Sequence, residues 1–145
     1  MYNSPFHSVD INNATFLITG GAGFVGSNIA RYLMEYGAGK VRVLDNLSEG
    51  KLRNIEPFLD KPNFEFINGD ITDSETCRKA CEGVDYITHQ AALGSVPRSL
   101  ATPLLTNDAN VTGFLNMLTA AKDAKVKRFV SARSSSVYGD SLKLP

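Results

Sequence analysis

Three glycines follow a short apolar stretch near the amino terminus, at the spacing of a phosphate-binding turn. Gly20, Gly23 and Gly26 come directly after residues 16–18, and an apolar pattern of helical spacing begins beyond them. In such a turn the first glycine lets the chain leave a strand, the second lets the backbone approach a diphosphate, and the third lets the helix pack closely. The amino end of the helix adds free N–H groups and a partial positive charge. The pattern predicts a dinucleotide site at residues 20–26.

Acidic side chains end the second and third predicted strands. Asp45 follows the apolar residues 41–44, and Asp70 follows residues 64–67. A carboxylate at position 45 can accept hydrogen bonds from adenosine ribose hydroxyls and would repel a 2′-phosphate, which favours NAD over NADP. The alternative for Asp45 is a turn-forming aspartate. For Asp70, a contact with the adenine edge and a simple turn-capping role are both open.

The loop after the fourth predicted strand begins with His89-Gln90-Ala91-Ala92. Its small side chains would let a cofactor lie flat against the backbone. The pKa of His89 suits a general base, but a lone histidine at a strand end is more often a structural group. We therefore assign His89 a structural role.

Hydroxyl groups follow the fifth predicted strand, at Ser134, Ser135 and Ser136. In that place they could form hydrogen bonds with an alcohol or ketone that is being oxidised or reduced. A serine-rich turn is the alternative.

Strand and helix patterns alternate along the chain, which predicts an α/β fold with a doubly wound parallel sheet (a Rossmann fold). Ligands of such sheets bind beyond the carboxyl ends of the strands, where the side chains above lie. We expect a flexible leader at residues 1–13 and a partial NAD-binding domain at 14–145. The predicted strands are 16–18, 41–44, 64–67, 84–88 and 128–131; the predicted helices are 25–36, 52–59, one that begins at a capping box of residues 72–75, and a long one from 103 to 121.

The composition is typical of one soluble globular domain. Of 145 residues, 43% are hydrophobic and 21% are charged, and the formal net charge is zero. We therefore expect neither a nucleic-acid nor an anionic-membrane partner. Cys77 and Cys81 fit apolar positions on a helix face better than half of a metal site. With no secretory signal visible, these features predict a cytoplasmic protein without a metal.

Taken together, the motifs resemble those of the extended short-chain dehydrogenase/reductase family, the nucleotide-sugar epimerases and dehydratases. Within that family the loop at residues 89–99 is most similar to the UDP-N-acetylglucosamine 4-epimerases. The motifs that carry the resemblance are Thr19-Gly20-Gly21-Ala22-Gly23-Phe24-Val25-Gly26, Asp45-Asn46, Gly69-Asp70-Ile71, His89-Gln90-Ala91-Ala92 and Ser134-Ser135-Ser136-Val137-Tyr138-Gly139.

The resemblance implies NAD as cofactor and a UDP-sugar as substrate, epimerised at C4 through a 4-keto intermediate between UDP-GlcNAc and UDP-GalNAc. It implies that Ser134 is catalytic and that Gly94, Ser95, Ser135 and Ser136 bind substrate. The cofactor-binding residues that it implies are Gly20, Gly23, Phe24, Val25, Gly26, Asp45, Asn46, Ser48, Gly50, Asp70, Ile71, Gln90, Ala91 and Ala92.

Two serines separate this chain from part of the family that it resembles. Dehydratases of the family carry Asp-Glu where this chain has Ser135 and Ser136. Eliminating water needs a carboxylate acid/base pair, which serines cannot supply, so dehydration is disfavoured. The alternatives are another enzyme of the family, such as a UDP-uronate epimerase or a sugar-nucleotide reductase, and a non-catalytic module that binds NAD(H).

The chain also departs from the family pattern. Its last residue, Pro145, precedes the point where the family's Tyr-x-x-x-Lys and C-terminal substrate domain would follow, so we expect this chain alone to be inactive. The intact protein is expected to be a homodimer, like its relatives. Arg133 stands where the family usually has a small residue. It would either crowd the floor of the cofactor site or contact a phosphate.

Overall fold

Five parallel strands form a single sheet in the order β3-β2-β1-β4-β5. A computed structural model describes residues 4–134 and residue 139. The strands are β1 (Thr15–Thr19), β2 (Lys40–Asp45), β3 (Phe64–Asn68), β4 (Tyr86–His89) and β5 (Arg128–Ser131). The α-helices are α1 (Phe24–Glu35), α2 (Ser74–Cys81), α3 (Val96–Ala101), α4 (Pro103–Asn107) and α5 (Gly113–Asp123).

Successive residues of the central strand enter two different cores. Leu17 packs in a cluster with Cys77 and Met117, on the face covered by α2 and α5. Ile18 packs in the other cluster with Ala30 and Leu33, on the face covered by α1. Side chains alternate across a strand, so a strand buried on both faces is apolar throughout. The predicted doubly wound fold is confirmed.

The strand order places the switch in winding direction between β1 and β4. The chain winds outward from β1 through β2 to β3, then returns to β4 on the other side of β1. At such a point the loops leaving the two central strands diverge and leave a crevice at their carboxyl ends. Thr19 ends β1 and pairs with His89, which ends β4. The loops that begin at Gly20 and Gln90 therefore flank the crevice.

Three predicted helical segments differ from the structure in detail. Residues 52–59 form two short 3-10 turns, Leu52–Asn54 and Glu56–Phe58, because Pro57 interrupts a continuous hydrogen-bond ladder. The cap of α2 is Asp73, not Thr72: its carboxylate accepts from the backbone N–H groups of Glu75 and Thr76, both at 3.2 Å.

The long helix predicted from residue 103 is continuous, but it is not α-helical throughout. After α4, a π-helical segment, Asp108–Thr112, leads directly into α5. Such segments carry one residue more per turn and are frequent at functional sites. Here the segment brings Asn110 to the loop after β4, as described below.

A buried arginine joins the sheet to the end of α2. Arg42 lies in β2 with its side chain 11% exposed. Its Nη1 donates to the carbonyls of Ala80 and Glu82 at 2.7 and 2.8 Å, and its Nε donates to Glu65 at 2.9 Å. The carbonyls at a helix C-terminus lack intrahelical partners and carry partial negative charge. The guanidinium therefore satisfies the buried carbonyl of Ala80 and the partly buried carbonyl of Glu82.

Residues before β1 contact the outer side of α1. The backbone N–H of Phe6 donates to the Tyr32 hydroxyl at 2.7 Å, and the His7 Nδ1 lies 2.7 Å from the same oxygen. Ile11 is buried in the α1-side core. The flexibility expected of residues 1–13 stays a prediction, and residues 1–3 lie outside the described residues.

Candidate functional site

The glycine turn is held by close backbone contacts that leave no room for side chains. Gly20 has a φ of +65°, and a Cβ there would lie 2.7 Å from the backbone nitrogen of Ala91. A Cβ on Gly26 would overlap the carbonyl oxygen of Gly20 and lie 2.7 Å from Cα of Gly21. The turn is tied to β2, since the N–H of Gly20 donates to the Leu44 carbonyl at 2.8 Å.

The amino end of α1 has no side-chain cap. Gly23 occupies the cap position, and no side chain in the described part of the chain accepts a hydrogen bond from the first turn. The first N–H groups of a helix have no intrahelical acceptor. In α1 the first such bond in the ladder is from Ser27 to Gly23. The N–H groups of Phe24, Val25 and Gly26 are therefore open to an anionic ligand.

The loop after β2 is docked onto this turn through Asp45. One carboxylate oxygen accepts from the N–H of Ala22 at 2.9 Å, and the other accepts from the N–H of Leu47 at 2.8 Å. The side chain is buried. Two residues further along the chain donate to the carbonyl of Ala22 in the glycine turn: the N–H of Lys51 at 3.0 Å and the side-chain amide of Asn54 at 2.8 Å. The turn and the loop thus form one connected wall.

A second network joins the loops after β2 and β3. The Asn46 amide donates to Asp70 at 2.7 Å, and its oxygen accepts from the Ser48 hydroxyl at 2.7 Å. Asp70 also accepts from the N–H and the hydroxyl of Thr72, both at 2.8 Å. Partial burial acts to raise the pKa of Asp70, but these hydrogen bonds to the ionised form outweigh it, so its pKa is lowered. Asp70 is a carboxylate at neutral pH.

The loop after β4 is fixed on the opposite side of the crevice. The N–H of Ala91 donates to the Thr19 hydroxyl at 3.3 Å. Asn110, from the π-helical segment, holds the backbone of Leu93 at both ends: its oxygen accepts from the N–H at 2.8 Å and its amide donates to the carbonyl at 2.9 Å. This loop leads into α3.

His89 lies beneath the crevice and is packed on every side. Its Nδ1 lies 2.8 Å from the Thr19 hydroxyl, and its ring stacks on Phe129 and meets the edge of Phe114. Burial, with a smaller contribution from the positive charge of Arg133, lowers its pKa to about 4. The imidazole is therefore neutral at physiological pH. Its surroundings support the structural role that we assign to it.

This burial predicts that His89 makes the fold sensitive to mild acid. The unfolded state binds a proton near pH 6.5 but the folded state only near pH 4. The free energy of unfolding therefore falls as the pH drops through that window, by about 2 kcal/mol between pH 7 and pH 5. Chemical denaturation at both pH values should give this loss for the native protein and a clearly smaller one for His89→Gln. Equal losses in the two proteins would contradict the assignment.

Arg133 is directed at an aromatic ring. Its guanidinium carbon lies 4.3 Å from the centre of the Phe114 ring, within the range of a cation–π interaction. Neither expected role, crowding of the cofactor site or a phosphate contact, is needed to explain its position. Ser134 is exposed after the end of β5. Ser135 and Ser136, predicted to bind substrate, lie outside the described residues.

The four loops and the start of the α4–α5 region enclose a cavity of about 430 Å³. It lies at the carboxyl edge of the sheet, between the loops that leave β1 and β4. The predicted cofactor residues that line it are Gly20, Gly23, Asp45, Asn46, Ser48, Gly50, Asp70, Ile71, Gln90, Ala91 and Ala92.

Other predicted residues do not line the cavity. Phe24 and Val25 begin α1 with exposed side chains, and Gly26 is buried against the turn. Of the residues predicted to bind substrate, Gly94 faces open space, and Ser95 caps α3 by accepting from the N–H of Arg98 at 3.3 Å. Both lie on the loop that leaves the cavity toward α3.

The structure adds lining residues that sequence reasoning missed. Gly69 lies within a predicted motif and several others adjoin one, so the strand-end rule could have found them. The others come from α3 and the α4–α5 region, and no local pattern marks them because the π-helical segment and the loop path decide which side chains face inward. The added residues are Leu44, Glu49, Gly69, Thr72, Leu93, Arg98, Leu105, Asp108 and Ala109.

The described residues fit a dinucleotide. The volume lies within the usual range for cofactor clefts, and the glycine turn offers N–H groups to a diphosphate from a backbone that a Cβ would block. The cavity lining also includes Asp45, in the place of a ribose-binding carboxylate, and the small residues Ala91 and Ala92.

Residues 16–145 match the model of the NAD dependent epimerase/dehydratase family. The chain belongs to this family. Its members use NAD as cofactor, in agreement with the cofactor predicted from the glycine turn and Asp45. The extended short-chain dehydrogenase/reductase resemblance is confirmed at the level of the family.

Several members of this family are similar to the chain over most of its length. The low-salt glycan biosynthesis protein Agl12 of Haloferax volcanii is 40% identical over 127 residues, which cover 86% of this chain and 40% of that protein. The UDP-N-acetylglucosamine 4-epimerase of Methanobrevibacter ruminantium, solved with UDP-N-acetylmuramic acid, is 37% identical with a TM-score of 0.81, over 91% of this chain and 41% of that one.

The UDP-glucose 4-epimerase of Thermus thermophilus, solved with NAD, is 35% identical with a TM-score of 0.70, over 79% of this chain and 36% of that one. The chain thus spans about 40% of the length of the Haloferax relative.

One Tyr-x-x-x-Lys spacing does occur in the described residues, but it is remote from the cavity. Tyr36 is the C-cap residue that follows α1, and Lys40 begins β2. Lys40 pairs with Glu65 at 2.6 Å. The amino end of β2 is opposite the carboxyl edge that lines the cavity, so this pair cannot reach a ligand bound there.

The two cysteines are buried, and their thiols are protonated at neutral pH. Burial raises the pKa of Cys77 to about 12 and that of Cys81 to about 11, so both remain thiols at neutral pH. Within the described residues, no three His, Cys, Asp or Glu side chains are grouped so as to hold a metal ion. None of the described helices combines the length and apolar content needed to cross a membrane.

Proposed function

We propose that this chain is the NAD-binding part of an enzyme that epimerises a nucleotide sugar at C4, interconverting UDP-GlcNAc and UDP-GalNAc. The observation that carries the proposal is the cavity at the switch point between β1 and β4, lined by the glycine turn, by Asp45 and by the small residues Ala91 and Ala92. The similarity to a UDP-N-acetylglucosamine 4-epimerase and a UDP-glucose 4-epimerase supports the reaction type.

In this proposal, different groups of residues bind different parts of the cofactor. The N–H groups of residues 24–26 bind the diphosphate. Asp45 and Asn46 bind the adenosine ribose, with Ser48 and Gly50 completing that wall. Asp70 and Ile71 meet the adenine, and residues 90–92 line the inner half. When bound there, NAD+ supplies a reversible hydride acceptor for the oxidation of a sugar carbon.

The preference of the cavity for NAD+ or NADP+ directly tests the role proposed for Asp45. Its buried carboxylate faces the place of the ribose, and a 2′-phosphate there would bring like charges together at low dielectric. We expect NAD+ to bind at least about tenfold more tightly than NADP+, as measured by isothermal titration calorimetry on the same preparation. Equal affinities would remove the role assigned to Asp45.

The sugar end of the site depends on the residues around Ser134. We propose that the Ser134 hydroxyl holds the C4 oxygen by a hydrogen bond and that Gly94, Ser95, Ser135 and Ser136 contact the sugar. Because Ser135 and Ser136 cannot act as a carboxylate acid/base pair, epimerisation is favoured over dehydration. No base is assigned among the described residues, since Tyr36 and Lys40 are remote and His89 is buried.

The intact protein is proposed to be a cytoplasmic homodimer. Leu100, Leu104 and Leu115 are large apolar side chains of α3 to α5 with more than half of their surface exposed, as expected of helices that pair with a second copy. Free, buried thiols at Cys77 and Cys81 suit a reducing compartment.

The proposal is tested by binding and turnover measured separately. We expect the 145-residue chain to bind NAD+ but to form no UDP-GalNAc from UDP-GlcNAc, as followed by chromatography of the sugar nucleotides. Absence of NAD+ binding by a folded chain would refute the cofactor role. Formation of UDP-GalNAc would show that the chain holds a base of its own and would refute its expected inactivity.

A further inference from the structure

The charges that line the cavity are opposite to what a dinucleotide needs. Asp45, Glu49, Asp70 and Asp108 contribute four carboxylates, and Arg98 is the one cationic side chain among the described lining residues. A diphosphate carries two negative charges, and placing it beside carboxylates without a cation is unfavourable. The open N–H groups of α1 offer only partial charge. Arg98 is therefore the lining residue able to neutralise the diphosphate with a full charge.

Arg98 is held at the rim of the cavity by an ion pair. Its Nη2 lies 2.8 Å from Oε1 of Glu49, and its side chain is 33% exposed. Its side chain forms no hydrogen bond to any other residue in the described part of the chain. A guanidinium has five N–H donors in a planar fork that matches phosphate oxygens. Most of these donors therefore remain available to a ligand.

The ion pair also connects α3 with the glycine turn. The N–H of Arg98 is capped by the Ser95 hydroxyl, which fixes the backbone that carries it. Glu49 precedes Gly50, and a Cβ on Gly50 would lie 2.9 Å from that of Ala22 in the glycine turn. Glu49 thus holds the Arg98 guanidinium on the side of the cavity where the diphosphate is expected.

We propose that Arg98 is a cofactor-binding residue whose guanidinium contacts the diphosphate of the dinucleotide, and that Glu49 positions it there. This inference rests on the proposed NAD-binding function. It assigns to α3 a ligand contact that neither the glycine turn nor the strand ends provide.

The experiment compares three ligands that differ in phosphate content. Binding of NAD+, ADP and adenosine is measured by isothermal titration calorimetry for the native chain, R98Q, R98K and the double variant E49Q/R98Q. R53Q is the matched control, because Arg53 is an exposed arginine of the 52–54 turn that does not line the cavity. Far-UV circular dichroism verifies that each variant is folded.

We expect R98Q to weaken NAD+ and ADP about tenfold and to leave adenosine unchanged, R98K to recover part of the loss, and R53Q to match the native chain. The double variant should stay weak for ADP, since the missing contact is to the phosphate. Unchanged ADP binding in R98Q, an equal loss for adenosine, or native ADP affinity in the double variant would each overturn the inference. Failure of the native chain to bind NAD+ would instead refute the proposed function itself.

Discussion

Gly26→Ala is expected to weaken NAD+ binding by at least about a hundredfold. The new Cβ would overlap the Gly20 carbonyl oxygen and press on Cα of Gly21. The backbone at Gly20 cannot move away freely, because its N–H donates a hydrogen bond to the Leu44 carbonyl and it already packs against the backbone of Ala91. The turn must therefore distort, and phosphate-binding geometry tolerates little displacement. Calorimetric titration with NAD+ measures the effect.

The control for this substitution is a glycine remote from the cavity. Gly83 has a φ of +68°, and no other group lies within 4 Å of the point where a Cβ would be attached. Gly83→Asn therefore introduces a residue that tolerates this backbone conformation in open space. We expect it to bind NAD+ like the native chain. Native affinity in a folded Gly26→Ala variant would show that the close contact at residue 26 is not needed for the turn.

Arg42→Met is expected to lower the free energy of unfolding by about 2–4 kcal/mol, because a carbonyl left without its donor costs about 1–3 kcal/mol. The substitution leaves the carbonyls of Ala80 and Glu82 without the donor that now satisfies them. It also detaches the end of α2 from the sheet. Equilibrium denaturation in urea gives the difference in free energy.

Lys40→Met is the matched control, because Lys40 pairs with the same Glu65 carboxylate from the same strand. Its side chain is 41% exposed, against 11% for Arg42. Exposed ion pairs contribute less than about 1 kcal/mol. A loss for Arg42→Met no larger than that for Lys40→Met would mean that the bonds to the helix end contribute little to stability.

The fold could be predicted because its signals are local and repeated. The first four strands are short segments rich in apolar residues that end at or just before Gly, Asp or His, and the parallel arrangement follows from alternation with helices. The same rule places Asp45, Asp70 and Gln90 at one edge of the sheet. All three line the cavity.

The parts that could not be predicted depend on contacts distant in sequence. Asn110, in the π-helical segment, forms hydrogen bonds with Leu93, which lies 17 positions earlier in the chain. The ion pair of Glu49 and Arg98 joins the loop after β2 to α3, and no short motif predicts that these two residues meet. For Arg133 the sequence allows two roles, crowding the cofactor site or contacting a phosphate. The structure shows its guanidinium over the ring of Phe114, a contact that depends on the folded arrangement.

The two hydrogen bonds that Asp45 accepts limit how its cofactor preference can be altered. The carboxylate that we propose discriminates against a 2′-phosphate also accepts hydrogen bonds from the N–H groups of Ala22 and Leu47. A neutral or basic residue at position 45 would remove the repulsion of a 2′-phosphate, but it would leave these donors unpaired and loosen the contact between the loop after β2 and the glycine turn. Selection for NADP+ in this protein should therefore first change the neighbouring loop positions 46–49 and keep the carboxylate, so that specificity changes around Asp45 rather than at it.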